Sequence, residues 1–398
     1  MIQLGAKVNL VICQKSKVED WIDHFKCNYP EVRVYNLTDA KQFYSFMYML
    51  IEGFRPDIFL GVINYELAFR RPSLDQLRNF TLMLDESSLI QNETAKRSKF
   101  ILKKLQPANV ILLSGTPTGG KYEKLWSQMR LLGWNISKAT YWNSYIDYHY
   151  EDFGGFPVKF IDGYKNVERL KRKMREYGCH FLKTNEVIDL PAQIFTTVKV
   201  PPSKEYKKFR KDKVVSFNYE ILVNNACDPN DVGYRELIGD STLTAMLYER
   251  ELCAQYSEDK LEAFDDLIES TNDRLIVFYN FTEELEVLSE IDRPISIVNG
   301  KTKDLKAYEE CNDSVTFIQY QAGAMGLNLQ LANKIVYFSP PLSSELYEQS
   351  KKRINRIGQS RTCYYYNLVV RGSIEERIYK TLEMRKDFTD KLFMEGET

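Results

Sequence analysis

The chain has 398 residues, enough for two domains, and its 54 Lys and Arg are balanced by 55 Asp and Glu. Net charge therefore gives no bulk attraction to nucleic acid, and any such binding must come from local patches. None of the seven cysteines lies in a C-x-x-C pair, so neither a zinc site nor a disulfide framework is expected, and a reduced, cytoplasmic setting is. The longest apolar run, Phe43–Ile51, is too short to span a bilayer and has no signal peptide before it, so no membrane association is expected. Abundant Tyr, Lys, Asn and Ile point to an AT-rich genome, as in a phage or a low-GC bacterium.

Val8–Ile12 reads as a buried strand that runs through QKSKVEDWIDHF into a helix carrying Trp21, Ile22 and Phe25. Val32–Tyr35 and Asp57–Ile63 are further strands, with a helix at Asp39–Ile51 between them. Phe80–Leu84 is a continuous apolar strand that ends in Asp85-Glu86-Ser87-Ser88. Carboxylates at the C-terminal end of a parallel strand stand where open α/β sheets bind their ligands. Asn109–Leu113 is the next strand and leads into Ser114-Gly115-Thr116-Pro117.

Two stretches imitate a phosphate loop and fail. Gly115–Lys121 is followed by Tyr122 instead of the Ser or Thr that ligates Mg²⁺, and Asn299-Gly300-Lys301-Thr302 has Ile295 where the first glycine is required. Helical patterns at Leu125–Leu132 and Val167–Tyr177 predict a helical insertion over about 121–189. The basic runs Lys165–Arg175 and Lys204–Lys213 read as solvated helix faces.

Strands at Leu275–Tyr279, Ile295–Val298, Val315–Tyr320, Lys334–Phe338 and Cys363–Val369 follow. In AGAMGLNL, Gly323 and Gly326 permit close backbone approach and Asn328 can fix the turn. Pro340-Pro341, a cap at Ser343 or Ser344, and Gly358 bracket a predicted helix. On it Gln349, Arg353 and Arg356 share one face, flanked by an apolar stripe of Leu346, Ile354 and Ile357. Two guanidiniums and an amide on a rigid element suit the terminal phosphate of a nucleotide. Ser373 and Glu376 form a capping box for a long final helix.

Gln349-x-x-x-Arg353-x-x-Arg356-x-Gly358-Gln359, with the upstream AGAMGLNL, resembles motifs VI and V of the Swi/Snf-type helicase-like ATPases of helicase superfamily two, closest to their compact phage-encoded branch. The resemblance implies two RecA-like α/β lobes with parallel sheets flanked by helices: lobe 1 over 1–189, an interlobe linker over 190–241, and lobe 2 over 242–398. It implies ATP and Mg²⁺ as cofactors and DNA, gripped mostly by its backbone, as partner. Asp85 would hold the nucleotide's Mg²⁺ and Glu86 would orient and deprotonate the attacking water, as in motif II. Gly326, Gln349 and Gln359 would line the nucleotide, and Arg353 and Arg356 would face the two carboxylates across the interlobe cleft. DNA contacts would come from Lys15 and Ser16 (motif Ia), Asn64 and Tyr65 (Ib), Gly115 and Thr116 (III), Tyr279 and Asn280 (IV) and Gly323 (V). Serines at 87 and 88, where many relatives have Ala-His, imply the loss of an inter-motif contact.

Motif I, a glycine-rich loop ending in Gly-Lys-Thr or Ser, has no counterpart ahead of Lys15. It supplies the amide cradle and lysine for the β and γ phosphates. The expectation is a DNA translocase or helicase body that is inactive alone. Alternatives are a non-catalytic DNA-binding or scaffold subunit, or half of a split ATPase completed by another polypeptide. A strand near the centre of the first sheet is expected to be missing with motif I, leaving two unpaired edges.

Overall fold

The computed structural model describes residues 1–51, 58–115, 117, 118, 120–153, 156–181, 189–220, 232–323 and 327–394. The chain divides into two compact units, one of Met1–Phe181 with Asp387–Thr398 and the other of Leu182–Lys386. Among the described residues no helix is long and apolar enough to cross a membrane.

The first unit is built on five strands: β1 (Val8–Cys13), β2 (Val32–Asn36), β3 (Ile58–Asn64), β4 (Phe80–Asp85) and β5 (Asn109–Leu113). They lie in the order β2-β3-β1-β4-β5, every pair parallel. Parallel sheets are covered on both faces, which is why β1, β3 and β4 are nearly unbroken apolar runs. Val18, Ile22 and Phe25 of the helix Val18–Asn28 pack with Val11, Val62 and Met83 on one face. Phe43 and Phe46 of the helix Ala40–Ile51 join Leu10, Leu82 and Leu84 on the other.

The expected gap at the centre of this sheet is not found. β1 is bonded to both β3 and β4, and β4 also to β5, so the unpaired edges are β2 and β5. β5 is apolar yet only half-buried along its length, as befits an edge. The stretch after it is also not purely helical. Between the helices Lys138–Tyr145 and Val167–Glu176 stands an antiparallel pair, β6 (Ile146–Phe153) and β7 (Phe156–Tyr164). This region has its own aromatic core of Tyr122, Trp134, Tyr141 and Tyr145 with Leu170.

The second unit carries β8 (Gln193–Val200), β9 (Val214–Glu220), β10 (Val232–Ile238), β11 (Leu275–Tyr279), β12 (Ile295–Val298), β13 (Lys303–Asp304), β14 (Val315–Gln319), β15 (Lys334–Tyr337) and β16 (Cys363–Val370). Seven of them form one sheet in the order β13-β12-β14-β11-β15-β16-β8, parallel except at β13. The segment read as an interlobe linker is therefore part of this unit. β8 pairs with β16 from Gln193↔Cys363 to Val200↔Val370, and Phe209, Val215 and Leu237 join the unit's core.

That core is rich in tyrosines whose hydroxyls fasten the chain that follows β15. Tyr337 shares a 2.9 Å hydrogen bond with Ser350, Tyr365 donates to the Lys351 carbonyl at 2.9 Å, and Tyr320 donates to the Ser339 carbonyl at 3.1 Å. A buried hydroxyl needs such a partner, so each ring fixes the segment it reaches.

Candidate nucleotide site

In the first unit β4 ends at Asp85, and the next residue, Glu86, has a φ of 55°. A non-glycine residue in this left-handed region costs on the order of 1–3 kcal/mol and persists only where its surroundings over-determine it. Three side chains do so. The Tyr65 hydroxyl donates to the Asp85 carbonyl at 2.9 Å and to the Glu86 carbonyl at 3.4 Å. The Trp21 indole N–H donates to Asp85 Oδ2 at 2.9 Å. The Ser87 hydroxyl donates to Gln128 Oε1 at 2.9 Å, and Gln128 Nε2 donates to the Pro117 carbonyl at 2.6 Å.

These bonds correct two expectations. Tyr65 is fully buried, and burial, then the nearby Asp85 charge, pushes its phenol up from its ordinary pKa. It braces the carboxylate turn and offers no surface to DNA. Asn64 beside it is buried too, its amide donating to Glu66 at 3.0 Å. Ser87, in turn, does not break the link between the carboxylates and the loop after β5, because Gln128 bridges the two. Lys15 and Ser16 are exposed at the C-terminal end of β1, and Gly115 is exposed after β5. Thr116 lies outside the described residues.

In the second unit the predicted helix is cut short. It spans Ser344–Lys351, capped by the Ser343 hydroxyl, and the chain then turns through to Gly358 at φ 95°. Arg353 and Arg356 therefore lie beyond the helix, not on one face of it. Ile354 is buried as expected, whereas Ile357 is exposed. The two guanidiniums still meet. Arg353 donates to the Leu327 carbonyl at 3.0 Å and to the Gln349 carbonyl at 3.0 Å, and Arg356 donates to the Leu327 carbonyl at 3.4 Å and to Asn328 Oδ1. Together they hold Leu327 and Asn328, near the end of the AGAMGLNL stretch.

Gln349 is 3% exposed, and among the described residues neither its amide oxygen nor its amide nitrogen has a hydrogen-bond partner. A buried orphan amide is costly, and a ligand that satisfies it recovers that cost. Gln359 is the opposite case. Its Nε2 donates to the carbonyls of Ala332 (2.8 Å), Gln330 (3.2 Å) and Ile354 (3.3 Å), while Oε1 accepts from the Arg361 N–H at 3.0 Å. It is a brace inside its own unit, not a nucleotide ligand.

At the end of β11, Tyr279 is buried, and the Asn280 amide turns inward to Ser339 Oγ at 2.8 Å and the Pro340 carbonyl at 3.0 Å. Neither is disposed for DNA, contrary to expectation. Sequence reading also missed Glu284, which closes this corner. It accepts from the Asn280 N–H at 2.7 Å and the Ser339 hydroxyl at 3.0 Å, and burial pushes its carboxyl up to about 7. Gly323 ends the short helical turn Tyr320–Gly323, and Gly326 lies outside the described residues.

The residues fit the cofactors implied. Asp85 offers hard carboxylate oxygens at a strand end, as Mg²⁺ requires. Among the described residues no group of three or more His, Cys, Asp or Glu could hold a metal alone, so a Mg²⁺ here would be completed by nucleotide phosphates. The orphaned Gln349 amide can pair with a phosphate or its water.

Two family models match the chain. The SNF2-related domain matches residues 3–258, more than half of the chain, and the helicase conserved C-terminal domain matches residues 259–358. "SWI/SNF-related matrix-associated actin-dependent regulator of chromatin subfamily A member 1" of Mus musculus is 21% identical over 95% of this chain and 38% of its own length. "Uncharacterized ATP-dependent helicase MG018" of Mycoplasma genitalium is 23% identical over 97% of this chain and 37% of its own. The chain thus spans less than two fifths of the length of either relative. The solved "Sulfolobus solfataricus SWI2/SNF2 ATPase core in complex with dsDNA" aligns with a TM-score of 0.39 at 18% identity, covering 97% of this chain and 82% of that one. By its domain matches, the chain belongs to the SNF2-related family of helicase-like proteins.

Proposed function

We propose that this chain is the body of an ATP-driven DNA translocase, and that its 398 residues do not hydrolyse ATP by themselves. The observation that carries the reading is the pair of domain matches, which together run from residue 3 to residue 358. In this reading Asp85 holds the Mg²⁺ of the bound nucleotide. When bound, ATP with its Mg²⁺ supplies the scissile phosphoanhydride and a partly neutralised terminal phosphate. Glu86 orients the attacking water and accepts its proton. In the second unit, the Gln349 amide is the group that a phosphate would satisfy, and Arg353 and Arg356 stand near it as positive charge; arginines in a phosphate-facing role contribute about 10³–10⁵ in rate. No phosphate loop occurs among these residues, since both look-alike stretches fail at a required position. Such a loop would have to join this body before turnover begins.

DNA would be held by its backbone, through exposed groups such as Lys15 and Ser16 at the C-terminal end of β1. Near-neutral net charge makes this a matter of a few local contacts. The test is fluorescence anisotropy with two unrelated duplexes. Affinity should be equal for both and fall by about tenfold or more between about 50 mM and 200 mM salt. Salt-insensitive binding, or a strong preference for one duplex, would contradict the proposal.

A further inference from the structure

Glu86 is one of four described non-glycine residues at positive φ, and the only one of them in the candidate site. Its upstream side is held by Tyr65. Its downstream side is held through Ser87, whose hydroxyl reaches Gln128. Gln128 stands on the helix Trp126–Leu131, in none of the stretches that the sequence marks as functional. Both Ser87 and Gln128 are buried. The two ends of the Gln128 amide do different things, its oxygen accepting from Ser87 and its nitrogen donating to the Pro117 carbonyl. Gln91 donates to the same carbonyl at 3.1 Å. A buried polar chain of this kind rigidifies when complete and fails as a unit when broken.

We propose that Gln128 is a positioning residue that holds the carboxylate turn in the left-handed conformation presenting Glu86, and ties that turn to the loop after β5 at Pro117. The role rests on Glu86 being the water-orienting group of the function proposed above. Only a side chain with an acceptor and a donor at one end can make both bonds. Glutamate would keep the acceptor alone, and leucine neither. The loop after β5 and the carboxylate turn would then shift together, so that a change at one is felt at the other.

The test is a double-mutant cycle read by hydrogen exchange on the chain without nucleotide. The reporter is the Leu89 amide, which donates to the Glu86 carbonyl at 3.0 Å and so reads the turn directly. Gln128→Leu should raise its exchange by about tenfold, the effect of losing a buried hydrogen bond. Glycine adopts a positive φ without strain. In a Glu86→Gly background the same substitution should therefore add less than about twofold. A full rise of about tenfold in the glycine background would overturn the proposal, because Gln128 would then act by packing alone. Ser87→Ala removes only the hydroxyl and serves if Gln128→Leu does not fold. It should give the same rise with Glu86 present and none in the Glu86→Gly background, where no strain remains to be held. An undiminished rise in that background overturns the proposal equally. Failure of this coupling removes the role of Gln128 and leaves the proposed function intact. Failure of ATP turnover in a protein supplied with a phosphate loop removes the proposed function and leaves only the coupling of Gln128 to the turn, as the exchange reads it.

Discussion

Gln359 belongs to the arginine motif by spacing, yet its amide is wholly engaged within the protein. Spacing says which residues lie on a loop, whereas side-chain direction depends on partners that are distant in sequence. Tyr65, Tyr279 and Asn280 were misjudged for the same reason. Truncating Gln359→Ala would leave three carbonyls and one N–H without this partner, and should lower unfolding free energy by about 2–4 kcal/mol in chemical denaturation. A nucleotide ligand on the surface would show almost no such loss.

Glu284 gives a pH dependence at the same scale. Burial is the largest cause of its raised carboxyl, opposed by the Asn280 N–H, the Ser339 hydroxyl and Lys260. Its value of about 7 in the fold lies above the ordinary 4.5, so between these values the folded chain binds more protons than the unfolded one. Stability from this group is present below about 4.5 and is lost as pH rises through about 7. Unfolding free energy measured from about pH 5 to pH 8 should fall less steeply in Glu284→Gln than in the wild type.

At the scale of elements, the buried strands were legible because a parallel sheet covered on both faces demands continuous apolar runs. β8 was not legible. It is an edge strand with Phe195 50% exposed, and its partner β16 lies far downstream. The arginine helix was overextended because its apolar spacing continues past its end. Its end is held by side chains, one from another element and one local: the Lys351 carbonyl accepts from the Tyr365 hydroxyl and the Gln349 carbonyl from the Arg353 side chain, in place of helical N–H groups.

The start of the final helix is also held from a distance. Lys260 on the helix Glu258–Glu269 meets Glu375 at 2.6 Å with both side chains buried, and Glu375 accepts the Val370 N–H at 3.0 Å. Breaking such a pair leaves a buried charge without its counterion. Lys260→Met should therefore cost about 3–5 kcal/mol in denaturant unfolding, and adding Glu375→Gln should recover part of it. Equal loss in the single and double variants would mean that packing, not the charge, accounts for the effect.

At the scale of the whole molecule, the family was readable from the arginine stretch and the AGAMGLNL segment upstream of it, whose residue types and spacing resemble two of the family's motifs. The closure of the first sheet was not, since strand order depends on pairings that no local pattern encodes. Trp21 and Gln128, which hold the carboxylate turn, carried no spacing signal at all. The central proposal is that Glu86 serves ATP hydrolysis and that these 398 residues, among which no phosphate loop occurs, do not turn over ATP by themselves. Steady-state ATP turnover with saturating duplex DNA tests it, measured for these 398 residues and for the same residues joined to a phosphate-loop segment. The account predicts background turnover for the former, and for the latter DNA-stimulated turnover that Glu86→Gln abolishes. DNA-stimulated turnover by the 398 residues alone, or turnover in the joined protein that survives Glu86→Gln, would contradict it.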